Sequence, residues 1–481
     1  MPRALLILFA PVVLLACSGG SSSPSAPPSP DASVEAGNPF PPPPPPLPDA
    51  GVHETSSAAE AGPDTSANNQ DSGDASTLDA SDGAPQGGIP VSTGGSDQFE
   101  SEDQIAVAPD GTIGIAWTAF GGSAGTGILE YAFSTNGGSS FTPPAGLPLP
   151  AGLYAGDPVI TTDAAGNFYL STLGIHYTGR TLDFTRVLVA KAPKGTTTFD
   201  TPVEATDPST TLFHDHPKLH VTAAGTIALS FMESQSLMAN TTVGLVATSS
   251  DAVTWTRSMI VGQPDAEFVN LFSFCEGQGI LYSTYLEATQ TAVYIALRSS
   301  TDQGKTWSKS TPVSGPRETV AGLDPTCAAS GDDVWVAYAD TLMPSTSFMY
   351  LDPADAIEVA ESTNRGSSFA AAPVSALDTA AAKLGLLPVM VRESTGALDV
   401  AYLAGNFDGD TAGSMRYVRA TGTSFGSSVW VDGPLTYTLN RAMPTWVGDY
   451  LGAAVLGQGL YLAYPMNEAG STHIYFRRMT L

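Results

Sequence analysis

Four short stretches of this chain follow one pattern, Ser-x-Asp-x-Gly-x-x-Trp, which constrains the fold more than any other feature. The best copy begins at Ser300 and contains Asp302, Gly304 and Trp307. Two copies carry Asn for Asp and Phe for Trp, and a fourth is one residue shorter and lacks the Gly; their Asn or Asp residues are Asn136, Asn364 and Asp251. The short side chain accepts hydrogen bonds from turn amides, Gly supplies a positive φ, and the aromatic ring packs beside a neighbouring sheet. The pattern therefore predicts β-hairpin turns.

The spacing of these turns predicts a repeat protein. Six consecutive units carry an aromatic residue at the same position, 52 to 62 residues apart: Phe141, Phe199, Trp255, Trp307, Phe369 and Phe425. Apolar, β-branched runs separated by turn residues give four strands per unit. A seventh unit has three strands, and Ile89–Val91 can supply the fourth. We predict an all-β fold, a β-propeller of seven four-stranded blades with N-terminal strand closure; six blades are the alternative.

The turn pattern resembles the Asp-box (BNR) motif of the sialidase-like β-propeller superfamily. This resemblance implies a propeller over residues 89–481, with the boxes toward one face and ligands at the opposite mouth of the channel. Sialidases of this family bind the substrate carboxylate with three arginines, the first of them near the start of the propeller. Here no Arg occurs between Arg3 and Arg180, and residues 99–104 are acidic. The resemblance therefore covers the fold and does not extend to the sialidase active site.

The start of the chain resembles a bacterial lipoprotein signal. A basic Met1–Arg3 precedes an apolar segment that ends in Leu-Leu-Ala-Cys at Cys17. The resemblance implies that residues 1–17 are a signal peptide with its lipobox, and that Cys17 carries a lipid that anchors the protein to a membrane. Ser18 after the cysteine favours the outer membrane, so we expect a cell-envelope location with the displayed face undetermined. The alternative is an ordinary secretory signal with an incidental cysteine.

Residues 18–88 differ in composition from the rest of the chain. Ser, Pro, Ala, Gly and Asp dominate, with a proline run from Pro41 to Pro46 and no Lys or Arg. Such a segment cannot bury enough apolar surface to offset its ordering entropy. We predict a disordered stalk between the lipid and the propeller.

The net charge of the chain limits its possible partners, and its cysteines determine which disulfide bond it could form. The formal net charge is −28, with only 19 Lys and Arg, which argues against nucleic acid or an anionic lipid surface as a partner. Beyond Cys17, the chain has Cys275 and Cys327, at the same strand position in adjacent units. Export permits a disulfide between them. Two buried free thiols are the alternative.

The candidate ligand residues precede or begin the predicted innermost strands. They are Glu102, Asp103, Asp157, His214, Asp215, His216, Asp324, Arg441, Trp446, Asp449 and Tyr450. Converging carboxylates could shift one another's pKa, bind a cation or act as acid and nucleophile. The alternative is that Asp-Pro at 157–158 and 324–325 simply starts strands. His214 and His216 alternate along a strand and could face one ion. We otherwise expect no cofactor.

These observations favour a binding module over an enzyme. The anchor, the stalk and the lack of a recognisable catalytic set point to a propeller that binds a glycan or a protein. The alternative is a glycoside hydrolase or lyase with a carboxylate site at the mouth, where Trp446 and Tyr450 could stack on sugar. A structural envelope protein without a small ligand is a third hypothesis.

Overall fold

A computed structural model of the protein describes Gly87–Leu481. Short gaps interrupt this range at 94–97, 122–125, 180, 210, 237–240, 263–264, 267, 290–292, 316–324, 341–355, 374–383, 406–411, 422–423, 427, 437–446 and 469–470. The predicted signal peptide and almost all of the predicted stalk lie outside the described residues. In the described part of the chain, no helix could cross a membrane.

The described chain forms seven antiparallel sheets, one per blade. Strand β1 (Ile89–Pro90) comes first in the chain and belongs to the last blade. The strands of each blade are given from the axis outward. Blade 1 contains β2 (Gln98–Val107), β3 (Ile113–Gly121), β4 (Thr126–Ser134) and β5 (Ala145–Gly146), and blade 2 contains β6 (Leu153–Thr162), β7 (Phe168–Thr178), β8 (Thr181–Ala192) and β9 (Val203–Glu204). Blade 3 contains β10 (Phe213–Val221), β11 (Ile227–Ser234), β12 (Val243–Ser249) and β13 (Thr256–Val261).

The remaining blades follow the same order. Blade 4 contains β14 (Phe268–Gly277), β15 (Ile280–Ala288), β16 (Val293–Ser300) and β17 (Thr311–Pro312), and blade 5 contains β18 (Thr326–Ser330), β19 (Asp333–Asp340), β20 (Ala356–Ser362) and β21 (Ala370–Pro373). Blade 6 contains β22 (Leu384–Arg392), β23 (Leu398–Gly405), β24 (Ala412–Thr421) and β25 (Ser424–Phe425), and its strand β26 (Val429–Thr436) also pairs with β24. Blade 7 contains β27 (Gly452–Leu456), β28 (Gly459–Glu468), β29 (Ser471–Thr480) and β1. The first strand of every blade contacts the first strands of both neighbouring blades, so the blades close a ring.

The ring is closed by the first strand of the chain. Ile89 pairs with Phe476 on β29, and the amide of Val91 donates to the carbonyl of Ile474 at 2.8 Å. The Ser92 hydroxyl accepts from the Ile474 amide at 2.9 Å. The seven-blade prediction and the N-terminal closure are both confirmed, and the six-blade alternative is wrong.

The Asp boxes form the predicted turns. Oδ1 of Asp302 accepts from the amides of Lys305 and Thr306 at 3.1 and 2.9 Å, and the Ser300 hydroxyl accepts from the Gly304 amide at 2.8 Å. Gly304 has a φ of 84°. Each box follows the third strand of its blade, so the boxes lie at the face opposite to the one where the inner strands begin.

Hydrophobic layers fill the spaces between blades. Between blades 7 and 1, for example, Ile113 and Trp117 pack with Ile474 and Phe476, and the box residue Phe141 lies 5.1 Å from Phe476, centroid to centroid. The alternating apolar residues of each strand supply both faces of a blade, because each blade is covered on two sides.

The two remaining cysteines are joined across a blade boundary. Cys275 on β14 and Cys327 on β18 form a disulfide with a Cα–Cα distance of 5.6 Å. Inner strands approach each other closely near the axis, which brings equivalent positions of adjacent blades within reach of the bond. Both cysteines are buried in the layer between blades 4 and 5.

Candidate functional site

A β-bulge recurs at the same place in the inner strands of several blades. In blades 1, 2, 3, 4 and 6, two inner-strand residues oppose a single residue of the second strand. In four of these blades the first bulged residue is not Gly and has a positive φ: Glu102 (58°), Asp157 (50°), His216 (46°) and Leu387 (51°). Such left-handed residues are uncommon and concentrate at functional sites. The bulge therefore marks one equivalent position around the channel.

Proline follows the left-handed residue in three of these bulges, at Pro158, Pro217 and Pro388. A bulge tolerates proline because its second residue leaves the regular ladder of hydrogen bonds. The alternative that Asp157-Pro158 simply starts a strand is therefore wrong, because β6 begins earlier, at Leu153. The x-Pro pair is the sequence signal that could have located the bulge.

Asp157, Asp215 and His216 come together from blades 2 and 3. Each offers one ligand atom, and these atoms lie within 4.8 Å of one another. Nε2 of His216 is 3.6 Å from Oδ2 of Asp215, and the His216 amide donates to Oδ2 of Asp157 at 3.3 Å. All three residues are buried. We call this group, with Glu102 and Asn270, the channel cluster.

Glu102 and Asn270 border this group on either side. Oε2 of Glu102 accepts from the Thr118 hydroxyl at 2.9 Å and from the Asp157 amide at 3.3 Å. The Asn270 amide nitrogen donates to Oδ2 of Asp215 at 3.3 Å. The cluster thus extends over blades 1 to 4. Asn270 was not among the predicted residues, because an isolated Asn in a strand carries no sequence signal for a site.

Burial dominates the electrostatics of the cluster. It raises the pKa of Glu102 well above its usual range, and the carboxylates of Asp157 and Asp449 raise that pKa further. Burial also raises the pKa of Asp215 to about 7, with Asp157 adding to the shift and the His216 imidazole opposing it. Carboxyl groups that are buried this close together cannot all stay ionised without a compensating positive charge.

The two histidines of the His-Asp-His string do not share a ligand. Nδ1 of His214 lies 2.9 Å from the Thr185 carbonyl, and its Nε2 lies 3.3 Å from Glu233. The expectation that His214 and His216 face one ion is wrong, because the bulge at His216 breaks the alternation of side chains along β10. Asp157 from blade 2 takes the place expected of His214.

Asp103 also lies apart from the cluster. Its Oδ2 accepts from the Gly452 amide of blade 7 at 3.2 Å, and burial raises its pKa to about 7. Its role in the described structure is to join blades 7 and 1. The predicted residues Asp324, Arg441 and Trp446 lie outside the described residues.

Asp449 and Tyr450 reach the axis from blade 7. Asp449 is close enough to Glu102 to affect its pKa. The Tyr450 hydroxyl donates to the Pro158 carbonyl of blade 2 at 3.3 Å, and Nζ of Lys218 on blade 3 lies 3.9 Å from the Tyr450 ring centroid. Pro158 is the second bulged residue of β6 and Lys218 directly follows the bulge of β10, so Tyr450 contacts blades 2 and 3 beside the cluster. Lys218 was not predicted.

The spacing within the cluster bears on its chemistry. The ligand oxygens of Asp157 and Asp215 lie within 4.8 Å, closer than the carboxyl groups of inverting glycosidases, about 6.5–9.5 Å apart, and near the spacing of about 5–5.5 Å in retaining ones. Buried carboxylates at this spacing can share a proton or hold a cation.

A second group of side chains lies on the mouth side of blade 2, and sequence reasoning did not find it. Strands β7 and β8 run for 11 and 12 residues, and their turn projects at the face where β6 begins. The group consists of Tyr154, His176, Tyr177 and Phe184, and we call it the blade-2 aromatic group. The Tyr154 and Tyr177 rings are 5.9 Å apart, and His176 stacks on Phe184 at 4.7 Å with 4° between the planes.

Charged groups lie beside the His176–Phe184 pair. Nδ1 of His176 is 3.3 Å from Oδ2 of Asp183. The Arg186 guanidinium lies 4.2 Å from the Phe184 centroid and 3.0 Å from a Glu204 oxygen. Tyr154 is 36% exposed. The result is two pairs of partly exposed rings, Tyr154 with Tyr177 on one face of the blade and His176 with Phe184 on the other.

The sequence matches no family model and no curated protein. Among solved structures, the chain is similar to a protein of unknown function from Dyadobacter fermentans, with a TM-score of 0.50 and 12% identity over 83% of this chain and 99% of that one. A Hadza microbial sialidase gives a TM-score of 0.49 and 12% identity, covering 80% and 66% of the two chains. An α-L-arabinanase of Penicillium chrysogenum gives 0.47 and 11%, covering 83% and 99%. The first of these likenesses shows the propeller fold alone.

Proposed function

We propose that this protein is a non-catalytic glycan-binding propeller of the bacterial cell envelope, and that the blade-2 aromatic group contacts the sugar. The observation that carries this proposal is the exposure of Tyr154 beside Tyr177 on the mouth side of the blade. Carbohydrates present flat apolar faces edged with hydroxyls, and aromatic rings with polar tips match both features.

The neighbouring polar groups suit sugar hydroxyls. Burial, with Tyr154 nearby, raises the pKa of Tyr177 to about 12, so its phenol stays a neutral donor and acceptor. On the other face of the blade, His176 and Asp183 add an imidazole and a carboxylate beside the Phe184 ring. The side chains of His176 and Asp183 are 32% and 41% exposed, so both remain accessible to a ligand.

The location of the domain forms part of the same proposal. A lipid on Cys17 would tether the chain to a membrane, and residues 18–88 would extend the propeller away from that surface. The net charge of −28 would keep the propeller away from anionic headgroups and leave an uncharged glycan as the better ligand. Radiolabelled palmitate incorporation into the full chain, absent in Cys17→Ser, tests the anchor separately.

Binding of the full chain to a glycan array tests the function. We expect at least one glycan to bind, and Tyr154→Ala with Tyr177→Ala to weaken its affinity by about tenfold or more, which corresponds to about 1.4 kcal/mol. Trp430→Ala is the matched control, since Trp430 is an exposed aromatic residue on blade 6 and should leave binding unchanged. Binding that survives the double tyrosine variant would refute the assignment to blade 2.

The alternative function is a glycoside hydrolase that uses the channel cluster. The raised pKa of Asp215 beside Asp157 favours it, because hydrolases need a carboxyl group that stays protonated near neutral pH. Against it stands the burial of these carboxyl groups, which leaves a sugar no access to them in this structure. Release of reducing ends from an array-positive glycan, abolished in Asp157→Asn, would replace the binding proposal with this one.

A further inference from the structure

We propose that the channel cluster binds one divalent cation, with Asp157, Asp215 and His216 as ligands and Glu102 and Asn270 completing the shell. This inference is independent of the glycan proposal, since it concerns residues on the channel axis rather than the blade-2 hairpin. The cation would join blades 1 to 4 from within.

The ligand geometry suits a single ion. Two ligands on opposite sides of an ion at 2.0–2.4 Å are separated by about 4.0–4.8 Å, and adjacent ligands by less. The ligand atoms of the three residues all fall within 4.8 Å of one another. The bulges hold Asp157 and His216 in left-handed conformations, so the backbone fixes both ligands before any ion arrives.

A second observation concerns two buried side-chain oxygens, one on Glu102 and one on Asn270, beside the three proposed ligands. Glu102 is 1% exposed and Asn270 is 4% exposed. Among the described residues, no group donates a hydrogen bond to Oε1 of Glu102 or Oδ1 of Asn270. The other polar atom of each of these side chains already contacts the cluster, on Asp157 and Asp215 respectively. Buried oxygens without a donor are costly, and a cation would satisfy both.

Charge gives the third argument. Glu102, Asp157 and Asp215 place three carboxyl groups in a buried space, and isolated buried carboxylates are unfavourable unless paired or bound to metal. A dication compensates most of this charge. One imidazole among carboxylate and amide oxygens suits a first-row ion such as Mn²⁺ or Zn²⁺ better than Mg²⁺, which prefers an all-oxygen shell.

The test uses the full chain, first treated with EDTA and then titrated separately with Mn²⁺, Zn²⁺ and Ca²⁺. We expect one equivalent of Mn²⁺ or Zn²⁺ by elemental analysis. The melting temperature should rise by about 5 °C at a hundredfold excess over the dissociation constant. Asp157→Asn and Asp215→Asn should lose both effects. Nitrogen modulation in the pulsed EPR spectrum of bound Mn²⁺ should disappear in His216→Gln.

Asp103→Asn is the matched control, because Asp103 is an equally buried carboxyl group that contacts the Gly452 amide instead of the cluster. It should bind the ion as the parent chain does. If Asp215→Asn does not fold, as judged by circular dichroism, His216→Gln and the EPR signal still decide the outcome. No stoichiometric metal with any of the three ions, binding of Ca²⁺ alone, or binding retained in Asp157→Asn would overturn the proposal.

Discussion

The ammonium nitrogen of Lys218 lies 3.9 Å from the centroid of the Tyr450 ring. Lys218 belongs to blade 3, and Tyr450 lies just before β27 of blade 7, so the pair meets across the channel rather than across a blade boundary. The same tyrosine reaches the Pro158 carbonyl of blade 2. Tyr450 thus ties three blades together at the axis.

Replacing Tyr450 should therefore destabilise the whole ring. We expect Tyr450→Ala to lower the free energy of unfolding by about 3–5 kcal/mol, the usual cost of removing a buried aromatic ring. Tyr450→Phe keeps the ring and removes only the hydrogen bond, so it should cost about 0.5–1.5 kcal/mol. Urea unfolding followed by tryptophan fluorescence measures both values. Equal losses in the two variants would contradict a packing role for the ring.

The disulfide between Cys275 and Cys327 should contribute measurably to stability. It closes a loop with a sequence separation of 52 residues, and chain entropy for such a loop gives about 4 kcal/mol. We expect a reducing agent to lower the midpoint of denaturant unfolding in the parent chain. The Cys275→Ala, Cys327→Ala double variant should start lower and show no further response to the reducing agent. A parent chain that ignores the reducing agent after full reduction, verified by mass spectrometry, would refute the prediction.

The Asp boxes allow Asp and Asn to be compared at the same position of the turn, because the chain contains both. Asp302→Ala removes the acceptor of the Lys305 and Thr306 amides and should cost about 1–2 kcal/mol. Asp302→Asn should cost clearly less, because Asn136 and Asn364 accept equivalent amide hydrogen bonds in their own boxes. Thermal unfolding of the two variants measures the difference. An Asn variant as unstable as the Ala variant would show that the carboxylate charge matters more than the turn geometry.

Asp399 on blade 6 predicts a specific dependence of stability on pH. Its burial raises its pKa to about 7, and the nearby Glu393 adds to the shift. An unfolded Asp has a pKa of about 3.9, so the native state holds a proton between these values that the unfolded state releases. The stabilisation is therefore complete below about pH 4 and is lost as pH rises toward 7.

Asp399→Asn isolates this contribution. Asn can still accept the hydrogen bond that the Tyr417 hydroxyl donates at 2.5 Å, while it cannot titrate. The difference in unfolding free energy between the parent chain and the variant should change in favour of the variant between pH 4 and pH 7. A difference that stays constant over this interval would show that Asp399 has an ordinary pKa.

The fold could be predicted because its signal is local and repeated. Each Asp box, such as that at Asp302, is a turn encoded in a few consecutive residues, and the regular spacing of the aromatic residues makes radial repetition the simplest explanation. The closing strand at Ile89 could be predicted by counting, since blade 7 lacked one strand. None of these steps needed a distance between residues far apart in the sequence.

The site could be predicted only as a set of candidates. Asp157 and Asp215 belong to different blades, and their separation depends on how the ring closes. The bulge at His216 then separated the side chains of His214 and His216, since alternation along a strand holds only where the ladder is regular. The blade-2 aromatic group escaped notice because Tyr154 and Tyr177 become neighbours only through strand pairing.

The recurring bulge has a consequence for how such a channel can change over evolution. At one equivalent position the same left-handed backbone carries a glutamate, an aspartate, a histidine and a leucine, at Glu102, Asp157, His216 and Leu387. The first three border the channel cluster, while Leu387 packs in the hydrophobic layer of blades 6 and 7. Among the three polar positions, a single substitution can exchange an acid for an imidazole while the backbone keeps the same bulge. The ligand preference of the channel can therefore diverge through such substitutions while the propeller architecture stays fixed.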